Sequence, residues 1–402
     1  MRRLAHRRTD RRHLGHAEWR GEDRSAREGE GTVLKAPKLV LSRAQWRSAT
    51  HACCLAACLG FAACTRNPLT SEDSLPIEEE YQPSASVCYW RLDKKAALTF
   101  SFDDARASHW QLAAPILEEK GLVGTFNLDT KGIRDWKPWS SLYERGHEIA
   151  SHTYSHARLP SLRPEEVEFE LQRAIDDLTA NIPGLKQVLS FAYPYCDYTP
   201  ELIPIVARYH LSQRAGRATD SRAINARPVD VTTLNCLKGY WIRSPYDLED
   251  LLRVVDETVR SGGWLIVFWH SLARDPSPSD PNTAPLAFFQ GFVDAVAARS
   301  DSLWIATQGE IASYIWEREG LHLQVGVDRK RNAVKVSLPE ANRAVLPIPL
   351  TVRLAVPESW TKGNHLLRAQ GRRRQQVQLR DGRTLQLELD PGEELYVWAE
   401  GR

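Results

Sequence analysis

Two aspartates stand side by side at the end of an apolar run, Leu98-Thr99-Phe100-Ser101-Phe102-Asp103-Asp104. Adjacent side chains diverge at a strand end, so one carboxylate can hold a cation while the other stays free as a base. The plain alternative is a strand-to-helix turn, because Asp caps helices well. Further on, Glu148-Ile149-Ala150-Ser151-His152-Thr153-Tyr154-Ser155-His156 contains a His-x-x-x-His spacing. On a helical turn this spacing sets both imidazoles on one face, suited to chelating one ion. With 12 histidines in the chain, two unrelated surface imidazoles would look the same. Phe191-Ala192-Tyr193-Pro194-Tyr195 closes another apolar run, and His270 closes the run Trp264–Trp269.

The elements that must position these groups alternate between short apolar runs and amphipathic stretches. Strands are expected at Ala96–Phe102, Leu122–Leu128, Val188–Tyr193, Trp264–Trp269 and Leu303–Ala306. Helices are expected at Ser108–Lys120, Pro164–Asn181, Pro200–Tyr209, Pro245–Ser261 and Pro285–Arg299, with Ser244 capping the fourth and Gly262-Gly263 ending it. This alternation predicts βαβ units and an α/β fold, an irregular (β/α) barrel whose chemistry lies at the C-terminal strand ends. After about residue 318 the period falls to two, as in Leu321, Leu323, Val325, Val327 and later Leu385, Leu387, Leu389. That pattern predicts a small all-β, sandwich-like domain.

In their order, the Asp-Asp, His-x-x-x-His, Tyr-Pro-Tyr and final His groups resemble the polysaccharide deacetylase family, the homology domain of chitooligosaccharide deacetylases. The resemblance implies an irregular (β/α) barrel over 94–316 and leaves the C-terminal β domain unexplained. It implies that Asp103 is the general base and that Asp104, His152 and His156 ligate a divalent metal. His270 would be the general acid. Tyr193, Pro194, Tyr195 and Phe268 would shape the substrate groove, with the Tyr195 peptide N–H helping the oxyanion. Zinc suits a mixed oxygen and nitrogen set, as do cobalt, nickel or manganese. Two positions depart from the pattern. Ala192 stands where the family often has an arginine that orients the base, and Phe268 stands where a leucine usually lines the acetyl pocket. The family's acidic residue and tryptophan near the general acid fall in the region of Asp230 and Trp241, with nothing to select either.

The implied activity is metal-dependent removal of N-acetyl groups from an acetylated amino-sugar polysaccharide. The alternatives are an O-acetyl, xylan-type esterase and a catalytically silent glycan-binding lipoprotein. The expected partner is a polysaccharide. Nucleic acid has no electrostatic support: residues 1–63 carry 13 basic and 6 acidic side chains, leaving 40 and 45 in the rest. No run is long and apolar enough for a multi-span membrane protein.

Residues 1–63 read as a basic extension followed by an export signal. Phe61-Ala62-Ala63-Cys64 resembles the bacterial lipoprotein box, so Cys64 is the expected lipid-bearing residue and the only tie to a membrane; plain secretion to the periplasm or medium is the alternative. Residues 64–93 are expected to be a polar tether, 94–316 the catalytic domain and 317–402 the β domain. Cys88, Cys196 and Cys236 allow at most one disulfide beyond the signal.

Overall fold

The computed structural model describes residues 74–340, 346–362, 365–372 and 374–401. The basic extension, the export signal and Cys64 lie outside the described residues.

Parallel strands β1 (Ala96–Asp103), β2 (Gly124–Leu128), β3 (Glu148–Ser151), β4 (Ser190–Ala192), β5 (Ser212–Ala218), β6 (Leu237–Trp241) and β7 (Trp264–Trp269) pair in sequence order. β7 returns to β1 over Ala97–Phe102 and closes the barrel. An eighth strand, β8 (Leu303–Ile305), pairs with Ala96–Leu98 of β1, while β2 takes Phe100–Asp103. The irregularity expected from the sequence is this sharing of β1 by two partial neighbours. β1 and β7 are buried along their whole length, which is why they read as continuous apolar runs.

The helices are α1 (Ala114–Glu118), α2 (Lys137–Glu144), α3 (Pro164–Asn181), α4 (Leu202–Val206), α5 (Leu248–Ser261), α6 (Leu286–Ala297) and α7 (Gln308–Gly320). α3 has the bounds its periodicity predicts, with Pro164 at its first turn and the Glu166 carboxylate accepting from the Arg163 N–H at 2.9 Å. α5 starts later than expected: Asp247, not Ser244, is its cap, accepting from the Asp250 N–H at 3.0 Å. Two caps compete there, and the one nearer the amphipathic run wins. Gly262 ends α5 at φ 71°, where glycine avoids the cost of a Cβ. The stretch expected as one helix from Ser108 opens as a π turn, His109–Ala113, before α1.

α7 closes the end of the barrel opposite the motifs. The Glu148 carboxylate, at the start of β3, accepts from the Gly309 N–H at 2.9 Å and from Thr125 Oγ1 at 2.8 Å. A negative group at a helix N-terminus is favoured by the exposed N–H groups there.

Beyond the barrel come β9 (Gln324–Asp328), β10 (Ala333–Ser337), β11 (Leu350–Ala355), β12 (Leu366–Gln370), β13 (Arg374–Val377), β14 (Thr384–Leu389) and β15 (Glu394–Glu400). They form a five-stranded antiparallel sheet in the order β9-β10-β15-β12-β13, and a three-stranded sheet of Ala85–Val87, β11 and β14. Val334, Val336, Val352, Leu387 and Val397 meet in one core. The described part of the expected tether is therefore packed. Ala85–Val87 pairs with β11, and Ile77, Cys88 and Trp90 are buried. Its few apolar residues are too widely spaced among polar ones to show a period. Cys88, Cys196 and Cys236 are free thiols, and no helix among the described residues is long and apolar enough to cross a membrane.

Candidate metal centre and catalytic site

β1, β3, β4 and β7 end on the same rim of the barrel, and the motif residues follow those ends. Asp104 leaves β1 with φ 73°, a left-handed turn that swings its carboxylate away from Asp103. The segment after β3 is not the helical turn that His-x-x-x-His suggests. It is a loop with Thr153 at φ 68° and His156 at φ 58°. Those kinks bring the two imidazoles together, with ring centroids 4.9 Å apart.

Asp104 Oδ1 faces His152 Nε2 at 3.5 Å and His156 Nε2 at 3.2 Å, yet makes no hydrogen bond and is shut off from solvent. One atom from each of the three residues lies within 4.8 Å of the others. A buried carboxylate oxygen without a hydrogen bond is costly unless a cation meets it. His152 Nδ1 donates to the Ala192 carbonyl at 2.7 Å, which leaves Nε2 with its lone pair toward Asp104. This is the tautomer that a metal-bound histidine needs, fixed by a backbone partner. Burial pulls the His152 pKa down, but Asp104 and Asp103 lift it above the ordinary imidazole value. Burial likewise raises Asp104, and the two imidazoles hold it far below the usual carboxylate range. Both directions mark a place that favours positive charge. The residues fit a divalent ion.

Asp103 is a separate case. Its side chain is buried and bound by Arg214 on β5, whose Nη2 lies 2.6 Å from Oδ1 and 2.5 Å from Oδ2. Asn127 Nδ2, at the end of β2, donates to the same Oδ1 at 2.9 Å. Burial pushes the Asp103 carboxyl up, and Arg214, His152 and His270 bring it below its ordinary value. The carboxylate is thus ionised and held in one orientation.

Arg214 answers the question that Ala192 raises. The two are Cα partners in the β4–β5 register, so the guanidinium enters from the neighbouring strand. Arg214 is fully buried, with the Phe268 ring 4.1 Å from its guanidinium. Phe268 is 1% exposed, so its ring beds the arginine and does not line an acetyl pocket. Tyr193 is corrected as well: it is 1% exposed, and its hydroxyl donates to Gln213 Oε1 at 2.8 Å inside an apolar cluster. Pro194 is buried. Tyr195 is 45% exposed at φ 62°, with Arg158 over its ring at 4.1 Å and the His156 ring 4.6 Å away.

His270 is half-buried, and its Nδ1 has no hydrogen-bond partner. Burial lowers its pKa, while Asp103 and Asp104 pull the other way without cancelling that. Its backbone is clamped on both sides. His109 Nε2 donates to the His270 carbonyl at 2.5 Å, and Ser108 Oγ accepts from the Leu272 N–H at 3.1 Å. Asp230 is not at this rim; its carboxylate caps the turn at Thr232 and Thr233. Trp241 ends β6 beside Phe268, with Arg217 and Arg243 over its rings at 4.3 and 4.6 Å.

Sequence reasoning missed Arg214, Asn127, Asp129 and Glu170. Asp129 follows β2, with one oxygen buried and unpartnered, and burial raises its pKa. Its position after a strand was a signal of the same kind as Asp103. Glu170 on α3 accepts from the Ser155 N–H at 2.8 Å and from Ser155 Oγ at 2.7 Å, which pins the loop between the two histidines. A carboxylate on the buried side of an amphipathic helix was its only trace.

Residues 91–213 match a family model described as Polysaccharide deacetylase. The chain is 23% identical over 292 residues to a gellan lyase of a Bacillus species, covering 69% of this chain and 12% of that protein. It is 27% identical over 123 residues to a probable peptidoglycan-N-acetylglucosamine deacetylase of Arthroderma benhamiae, covering 29% of this chain and 28% of that one. The chain thus spans under a third of the length of both. A Mycobacterium smegmatis structure described as a polysaccharide deacetylase superposes with a TM-score of 0.44 at 19% identity, over 60% of this chain and 96% of its own. The matched segment runs from the start of the barrel through β4 and holds the Asp-Asp pair, both histidines and the Tyr-Pro-Tyr run, and this segment is similar to the polysaccharide deacetylase family.

Proposed function

We propose that the barrel is a metal-dependent hydrolase that removes N-acetyl groups from an amino-sugar polysaccharide of the cell envelope. The observation that carries this reading is a carboxylate and two imidazoles converging on one point, beside a second carboxylate that an arginine keeps ionised. Asp104, His152 and His156 would hold the ion, zinc being a good match to that donor set. Such an ion polarises a carbonyl and lowers the pKa of water.

The chain's own residues supply the proton transfers. Asp103 takes a proton from the attacking water, kept ionised and aimed by Arg214 and Asn127. The Tyr195 peptide N–H is the expected donor to the oxyanion. His270 gives a proton to the amide nitrogen as the C–N bond breaks, so that acetate and a free amine leave. The exposed Tyr195 ring beside His156 offers a face against which a sugar can pack. Arg214 also favours activity over a silent binding role, because a base is oriented here without the arginine that Ala192 replaces.

The test is to strip the protein with a chelator and add back zinc, cobalt, nickel or manganese. Acetate release is then followed from an N-acetylated chitooligosaccharide and from acetylated xylan. Release from the first, lost on stripping and restored by metal, is expected. Release from xylan alone makes the protein an O-acetyl esterase, and release from neither makes it a glycan-binding protein. We also propose attachment to the envelope through lipid on Cys64. The chain should then partition into detergent, and Cys64→Ser should stop it; a mature chain without acyl mass refutes the anchor.

A further inference from the structure

The opposite end of the barrel carries a second feature. A cleft of about 600 Å³ opens between the base of the barrel and the three-stranded sheet. Lys94, Lys95, Arg227 and Arg260 enter it from the barrel side, and Arg353 and Arg380 from the sheet. Among the described residues Asp93 is the only carboxylate on its walls, and it is already taken by Arg353 and Arg380. Among the described residues Lys94 Nζ reaches only a backbone carbonyl, that of Asp301 at 3.4 Å. Lys95, Arg227 and Arg260 are exposed and form no ion pair among the described residues. Arg227 is nonetheless held in place, stacked 3.7 Å from the Tyr89 ring, which Arg318 also covers at 4.2 Å. Six cations against one carboxylate is a local surplus in a chain whose residues 64–402 carry more acid than base.

We propose that this cleft binds an anionic polysaccharide, through carboxylate or phosphodiester groups spaced along the glycan. That the ligand is a polysaccharide rests on the deacetylase reading; that it is anionic rests on the cleft alone. Exposed cations hold a lone anion weakly, each pair being worth about 1 kcal/mol or less. A polymer that engages several together sums those small terms without new contacts. A recess between two walls suits a strand of glycan better than a flat membrane. The Tyr89 ring is occupied by guanidinium groups, so recognition here is of charge and not of a stacked sugar. β1 runs from this end to Asp103, roughly 23 Å at ~3.3 Å per residue. The cleft therefore grips substrate, or the matrix around it, well away from the acetyl group being removed.

Native electrophoresis through gels containing polygalacturonate tests this, with hydroxyethyl cellulose as the neutral control. The wild-type protein should be retarded only by the charged polymer, and ~0.5 M salt should abolish the effect by shortening the screening length to a few Å. A Lys95→Glu/Arg260→Glu variant should bind at least tenfold more weakly. It should keep its melting temperature and its acetate release from a soluble chitooligosaccharide. Lys186→Glu/Lys330→Glu, which changes net charge equally at exposed sites elsewhere, should bind like wild type. No retardation of wild type, or equal loss in both variants, overturns the proposal. So does tighter retention by phosphatidylglycerol vesicles, by an oligonucleotide, or by inorganic phosphate alone. Retention without any acetate release would keep the anionic cleft and sink the deacetylase reading; acetate release without retention does the reverse.

Discussion

Strand β1 begins beside Lys95, open to solvent and unpaired, and ends in Asp103, which is 3% exposed and gripped by a buried arginine. The two ends of the barrel treat charge in different ways. At the C-terminal rim the charges nearest the strand ends are buried or half-buried and held by specific partners, and Asp104 Oδ1, without a hydrogen bond, belongs to the cluster of metal-type ligands. At the base the cations are exposed and numerous, and Glu148 ties down α7 without facing any reacting group. Burial makes each charge specific and its loss severe. Exposure makes each charge replaceable and its effect collective.

This contrast can be broken most decisively at the ion. His152→Ala should abolish metal retention and acetate release together, measured by elemental analysis and turnover; a variant that keeps both would dismiss the cluster. Asp103→Asn should keep the ion and lose about 10²–10⁴-fold in rate, the usual worth of a general base. Loss of metal in that variant would make Asp103 a ligand instead.

Arg214→Lys keeps the charge but loses the planar guanidinium that lies on the Phe268 ring and carries Nη2 to both Asp103 oxygens. Removing a charge-assisted bond worth about 1.5–3 kcal/mol should slow turnover by roughly 10–100-fold. The pH profile distinguishes this from a packing defect. Asp103 must be ionised, and Arg214 holds its pKa down, so the wild-type acid limb lies low and should move to higher pH in the variant. His270 must start protonated, and burial lowers its pKa, so the alkaline limb should fall on the acid side of the ordinary imidazole value. His270→Ala should remove that limb, while Arg214→Lys should leave it in place. An unmoved acid limb in Arg214→Lys would reduce Arg214 to a structural role.

Glu170→Ala should weaken metal affinity by about 10–100-fold, typical of a lost partner behind a ligand, as read by competition with a chelator. Saturating metal should restore most of the turnover. At the far end, Glu148→Ala should cost about 1–3 kcal/mol of stability, because it leaves buried donors unpaired. Acetate release per folded molecule should not change. A large loss of turnover there would erase the distinction between the two ends.

The fold was most legible where one kind of force decides the structure. Trp264–Trp269 is apolar at every position and is a strand with those bounds, and α3 has both its period and its cap. β5 was invisible, because Ser212-Gln213-Arg214-Ala215-Gly216 buries polar side chains on both faces, Arg214 against Asp103 and Gln213 against α4, and so shows neither period. The same polarity concealed Arg214, whose partner is 111 residues away in sequence. The two residues of His-x-x-x-His do meet, but left-handed kinks and the Glu170 clamp, not a helix, bring the rings together. Tyr193 and Phe268 were assigned by position in a motif, and only packing reveals that both face inward.

Gly239 on β6 lies against the arginine. A Cβ there would come within 2.8 Å of the Phe268 ring and 2.9 Å of Arg214 Cδ. The guanidinium therefore has its berth only because residue 239 lacks a side chain, residue 192 is small and residue 268 is flat and aromatic. These four positions share one volume, so a change at one acts on the others. A lineage could move the orienting arginine between strands only by way of chains that were crowded or short of a charge, and a descendant that reverted one of the four alone would be penalised. Relatives with alanine at the position of Ala192 should therefore carry arginine, glycine and an aromatic residue at the other three, and those with arginine there should be free of that constraint.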